Sequence, residues 1–147
     1  MKRIALLLLL ALGLLGAASD DLSLTAAPGW VRCSPHQLRS TLFPDDPGSI
    51  GLFFVTWVPG QRLEAWEREV RASFAGGKLM QDEDTATGHK LLGSVRTPID
   101  GHTYEAAHYW QAIDEPDGLY VLHGIATQPN FDRHWDDIRA MAGSFHP

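Results

Sequence analysis

Seven histidines, one cysteine and a short acidic run are the residues of this chain whose types could do chemistry. His108 and His123 fall on two successive strand-like segments, and imidazole is a ligand suited to zinc, copper and nickel. Register decides whether the two rings can share an ion. A loop of Pro116-Asp117-Gly118 puts Pro116 at the second position of a type I turn and Gly118 in a left-handed bulge. Glu115 then pairs with Leu119, His123 with Gln111, His108 with Ala126, Trp110 with Gly124 and Ile113 with Val121. Side chains alternate along a strand, so this register turns His108 and His123 to opposite faces. A four-residue loop would instead pair them directly. On the favoured register no metal set is assigned, and His108 and His123 stand only as the candidates for one. His134 and His146, on or just past a final helix, are expected in solvent.

The run Gln81-Asp82-Glu83-Asp84 lacks the glycine and the distal glutamate of a calcium loop, and reads as a solvated strand edge or loop. Cys33 is the single cysteine, so no intramolecular disulfide can form. It alternates with Val31 and reads as a small buried apolar residue. No histidine stands at a diagnostic spacing from it, and no Gly-x-Ser-x-Gly elbow occurs. Gly76-Gly77 closes a helix instead of opening one after a strand, so there is no phosphate cradle. These absences assign no catalytic residue and no cofactor.

The elements that would hold these residues follow from periodicity. Leu22 to Thr25, Val31 to Cys33 and Ser40 to Phe43 read as short strands, with turn chemistry at Pro44-Asp45-Asp46-Pro47-Gly48. Ile50 to Val58 is β-branched and aromatic at both parities, as in a strand covered on both faces. Gln61 to Ala75 is a helix with Leu63, Trp66, Val70 and Phe74 on one stripe. On its other side Glu64 with Arg68 and Glu67 with Arg71 form i, i+4 pairs. Lys78 to Gly88 is polar, and Lys78 to Arg96 as a whole lacks strong core patterning. His102 to Ile113 and Leu119 to Thr127 are long strands. Asn130 caps a last helix, Phe131 to about Phe145, with Phe131, Trp135, Ile138, Ala142 and Phe145 on its stripe. Trp66 and Trp135 lie on helix stripes, and Trp30, Trp57 and Trp110 lie in or beside strands. All five therefore read as core residues rather than a binding platform. The order of strands, helix, strands, helix predicts an α+β fold, with a central antiparallel sheet flanked by helices as an α/β/α sandwich.

The N-terminus reads as an address. Lys2 and Arg3 precede an apolar stretch from Ile4 to Leu15 and then Gly16, Ala17, Ala18 and Ser19, the order of a signal peptide with a small-residue cleavage site. A spanning helix needs about 20 apolar residues, so the stretch is short for an anchor. No cysteine follows it to carry a lipid. Residues 1–19 are thus expected to be removed, and residues 20–147 to form a single soluble domain, secreted or periplasmic. Losing Lys2 and Arg3 from 12 basic and 18 acidic residues moves the formal charge from −6 to about −8. That surface repels nucleic acid and anionic membranes.

In ordered set, Ala27-Pro28-Gly29-Trp30, an apolar strand leading into a helix, the aromatic strand Tyr104 to Trp110, the hairpin to Tyr120-Val121-Leu122 and a last helix ending Ser144-Phe145 resemble the PsbP-like (Mog-type) superfamily. Its bacterial envelope members include DcrB and LpqN. The resemblance spans nearly all of residues 20–147. It implies a central antiparallel sheet with flanking helices and carries over no catalytic residue, because the family has no shared reaction. The functional expectation is an exported, non-enzymatic accessory protein that binds another protein through Lys78 to Arg96 or Cys33 to Phe43. The alternative is a module that binds a small ligand or transition metal with histidines and strand aromatics.

Overall fold

Stretches rich in β-branched and aromatic residues pair into one sheet, and the two amphipathic stripes become helices laid against it. The computed structural model describes residues 23–128 and 131–147. The expected export segment and the Asn130 cap lie outside them. The strands are β1 (Trp30–Ser34), β2 (Gln37–Ser40), β3 (Gly51–Pro59), β4 (Lys78–Thr85), β5 (Gly88–Ile99), β6 (His102–Glu115) and β7 (Gly118–Thr127). Helix α1 (Leu63–Ser73) follows β3, and α2 (Phe131–Ser144) follows β7. Neighbouring strands are antiparallel in the order β1-β2-β3-β7-β6-β5-β4, which leaves β1 and β4 as the two edges.

Strand alternation sends the two helices to opposite faces. Trp66, Val70 and Phe74 of the first helical segment pack with Leu91, Trp110, Ala112, Leu119 and Val121. Ile138, Met141 and Ala142 of α2, with Phe145 just beyond, pack with Trp30, Phe53, Val55, Tyr109, Ile113 and Leu122. The sheet makes up most of the described residues, and among them each face carries a single helix that leaves part of it bare. No helix among the described residues is long and apolar enough to cross a membrane.

Several expectations are corrected. Lys78 to Arg96 is two strands, and β5 buries His89, Leu91, Leu92 and Thr97. Its two middle leucines point to opposite faces, which hides a period-2 pattern from a reading along the chain. The β5–β6 hairpin turns on Asp100-Gly101, both at positive φ (49° and 80°) between the paired Ile99 and His102, as a type I′ turn requires. Of the expected Leu22–Thr25 strand, the described part makes one bridge, Ser23 with His146. The strand expected at Ser40–Phe43 instead ends at Ser40, and Phe43 turns the chain with φ 62°. Cys33 is exposed, because β1 is an edge strand whose Val31 and Cys33 side has no helix over it. His134 is fully buried, its ring edge-on to Trp30 and Phe43, so the α2 stripe is rotated toward His134 and Met141. Trp135 is correspondingly only partly buried.

Candidate functional site

The hairpin that carries His108 and His123 is one residue tighter than the turn chemistry alone suggests. Glu115 pairs with Gly118 across a two-residue Pro116-Asp117 loop, and His108 and Trp110 sit opposite Ile125 and His123. Tyr109, not Trp110, lies beside Gly124, and Ile113 lies beside Tyr120. The reason lies in a third strand. Gly118 pairs with Pro59 of β3, where a Cβ would collide with the Val58 carbonyl, so Gly118 serves as a ladder residue and not as a bulge. The shift of one residue brings both histidines to the α1 face.

There they form a buried relay. The Thr97 hydroxyl donates to the Val95 carbonyl at 3.0 Å, so its oxygen accepts the His108 Nε2–H at 2.7 Å. His108 Nδ1 then accepts the His123 Nε2–H at 2.9 Å. The His123 ring stacks on Trp110 with centroids 3.4 Å apart and planes 7° from parallel. Burial pulls the His108 pKa down to about 4. Burial, and then the neighbouring His108, holds His123 well below the ordinary 6.5. Both rings are neutral at pH 7. The facing nitrogens are spent on each other and Thr97 takes His108 Nε2, which makes this pair a polar element of the core.

A different histidine, passed over in the sequence, sits among carboxylates. His89 of β5 pairs across the hairpin with Asp84 of β4, and α1 reaches over both with Glu67 and Arg71. His89 Nε2 is 2.5 Å from Asp82 Oδ1, and Nδ1 is 2.8 Å from Asp84 Oδ1 and 3.7 Å from Glu67 Oε1. Arg71 forks onto Asp82 (2.7 and 2.9 Å) and reaches Glu67 at 3.1 Å. The Glu67–Arg71 pair, which spacing alone marks as a solvated helix face, thus ties α1 to the edge of the sheet. The Arg71 hydrogen bond holds Asp82 at about 2, against burial and with help from His89. Burial lowers the His89 pKa, but its bonds to Asp82 and Asp84 and the nearby Glu67 outweigh that and raise it above 6.5. The two features that could have found this cluster were both visible: the acidic run and a histidine five residues after it.

On the opposite face α2 leaves the β4–β5–β6 end of the sheet open. A cleft of about 540 Å³ lies there, lined among others by Gln81, Lys90, Tyr109, Gln111, Trp135 and Arg139. The Tyr109 hydroxyl donates to Gln111 Oε1 at 2.6 Å, and burial raises its pKa to about 12. Tyr109 meets Trp135 edge-on at 5.5 Å. The fold also brings Ser40 Oγ within 3.0 Å of His134 Nε2, a contact the sequence did not suggest. Ser40 Oγ also accepts the Leu42 N–H at 3.1 Å and so anchors the chain as it leaves β2.

No protein-family model and no curated protein sequence matches the chain. Among solved structures, LpqN of Mycobacterium tuberculosis, described as involved in cell envelope biogenesis, superposes with a TM-score of 0.59 at 13% identity over 92% of this chain and 87% of LpqN. The PsbP protein of the cyanobacterium Synechocystis (CyanoP) aligns over 91% of this chain and 95% of its own, with a TM-score of 0.45 at 14% identity. The chain shares the fold of LpqN, one of the envelope proteins among which the ordered motifs placed it.

Proposed function

We propose that this is an exported accessory protein of the cell envelope or exterior, which works by binding another protein through the β4 edge and turns over no substrate. One observation carries the reading. Leu79 and Met80 are 39% and 42% exposed, consecutive on β4 at a bulge in its pairing with β5, and among the described residues β4 has no strand on its other edge. An unpaired strand edge offers backbone donors and acceptors to an added strand, and apolar side chains beside it supply contact area. The segment lies within the Lys78 to Arg96 region that lacks core patterning in the sequence. A fold shared with an envelope-biogenesis protein agrees with the compartment, as an association and not a mechanism.

Photo-crosslinking in native envelopes tests it. A crosslinker at position 80 should trap one defined partner protein that the same group at exposed position 69 on α1 does not. Leu79→Glu with Met80→Glu should abolish capture while leaving the melting temperature in place. Identical products from both positions would sink the reading. So would hydrolysis on an ester or peptide panel that disappears in His134→Ala.

The cleft favours a second reading, a small-ligand module. Its size falls in the usual range of ligand sites, roughly 300–1,000 Å³. Trp135 on its wall gives the measurement: a ligand there should change tryptophan emission in the parent and not in Trp135→Leu.

A further inference from the structure

We propose that Glu67, Asp84 and His89 bind one divalent transition-metal ion of the zinc class where α1 crosses the β4–β5 hairpin. The inference goes beyond the partner-binding reading and does not depend on it. One ligand atom from each of the three residues lies within 4.8 Å of the others. Bonds of about 2.0–2.2 Å place the ligands of a tetrahedral zinc roughly 3.3 Å apart. The His89 Nδ1 separations, 2.8 Å to Asp84 and 3.7 Å to Glu67, bracket that value. The Asp84 side chain is 90% exposed and free to swing onto an ion, whereas His89 is buried and fixed.

Geometry around the ring is the second, independent observation. Asp82 faces Nε2 at 2.5 Å, and Arg71 clamps Asp82 with two hydrogen bonds. A carboxylate on the far nitrogen of a ligating histidine is the recurrent outer shell of protein zinc sites, where it sets the ring orientation and raises ligand basicity. Here that shell is complete and aims Nδ1 at the other two carboxylates. Charge points the same way. Three carboxylates, Glu67, Asp82 and Asp84, gather around one guanidinium, Arg71, so acidic groups outnumber basic ones beside the ring and a divalent ion offsets the excess. The facing groups are Glu67 and Arg71 from α1 and Asp82 and Asp84 from β4; the residue opposite His89 on β6, Ala112, is apolar. One imidazole and two carboxylates suit zinc or its neighbours in the divalent series, not a soft monovalent ion. Three protein ligands leave a fourth position open to solvent.

Calorimetric titration of the chelator-stripped protein with Zn²⁺, in a buffer that does not coordinate metal, decides it. The parent should bind one ion per chain. Asp84→Asn and Glu67→Gln should each weaken binding at least about tenfold, and Asp82→Asn by about 10–100-fold as an outer-shell change. His102→Ala, an exposed histidine outside the cluster, should bind as the parent does. Asp84 is so exposed that Asn there cannot unfold the protein, and its melting curve will confirm that. No zinc binding by the parent overturns the proposal, as does parent-like affinity in both Asp84→Asn and Glu67→Gln.

Discussion

His89 and the His108–His123 pair lie on the same face of one sheet, yet their surroundings shift their pKa values in opposite directions. His108 and His123 are enclosed by Trp110, Thr97 and Phe74, with no carboxylate against either ring among the described residues, so desolvation decides and both stay neutral. His89 exposes as little area, but it pairs with the edge strand β4, where desolvation is weaker than in the middle of the sheet, and Asp82, Asp84 and Glu67 surround it, so attraction overrides desolvation. Depth in the sheet and what faces the two nitrogens together set the direction of a histidine's shift.

The comparison breaks first in the core. His123→Ala removes the ring stacked on Trp110 and strands His108 Nδ1 without its donor. We expect a loss of about 3–5 kcal/mol in urea unfolding, in the range of large-to-small aromatic substitutions. A cost below about 1 kcal/mol would mean that the relay is not part of the packed core.

Acid provides the next test. A histidine whose folded pKa is depressed leaves the unfolded chain binding more protons, so stability falls as pH drops through 6.5 toward the folded value. From 6.5 to about 4, His108 alone should remove roughly 3 kcal/mol, at 1.36 kcal/mol per pKa unit. Urea midpoints measured at steps from pH 7 to 4 give the slope. A flat profile across that window contradicts the neutral pair.

His89 has the opposite sign and a smaller size. Its raised folded pKa means that its contribution is fully present below 6.5 and fades as pH climbs through the folded value. His89→Gln should therefore cost most at pH 6 and progressively less at higher pH, by no more than about 1 kcal/mol for a rim network. A penalty that grows with pH would reverse the assignment. Asp84→Asn, with its side chain 90% exposed, should change stability by only a few tenths of a kcal/mol.

The turns show where sequence reading stops. Pro116 and Gly118 are correctly a turn by local chemistry, but Gly118 also lies against the Val58 carbonyl of β3, sixty residues earlier in the chain. That contact costs the loop one residue and moves every side chain of β7 relative to β6. Asp100-Gly101 is the reverse case, a hairpin signal readable from two residues and overlooked between the weakly patterned β5 and β6.

Local pattern by itself determined the two helices, the long strands β3, β6 and β7, the antiparallel character of the sheet and the burial of Trp66, Val70, Phe74, Ile138 and Phe145. These depend on period and on steric preferences within a few residues, which the chain carries wherever it goes. Tertiary structure decided the rest: the exposure of Cys33 on a bare edge, the burial of His134 under Trp30 and Phe43, and the pairing of His108 with His123. It also turned Asp82, Asp84, His89, Glu67 and Arg71 from a polar run and a surface ion pair into one cluster. Each of these is set by which distant strand or helix lies alongside. A one-residue difference in register, invisible along the chain, is enough to reverse which face a side chain sees.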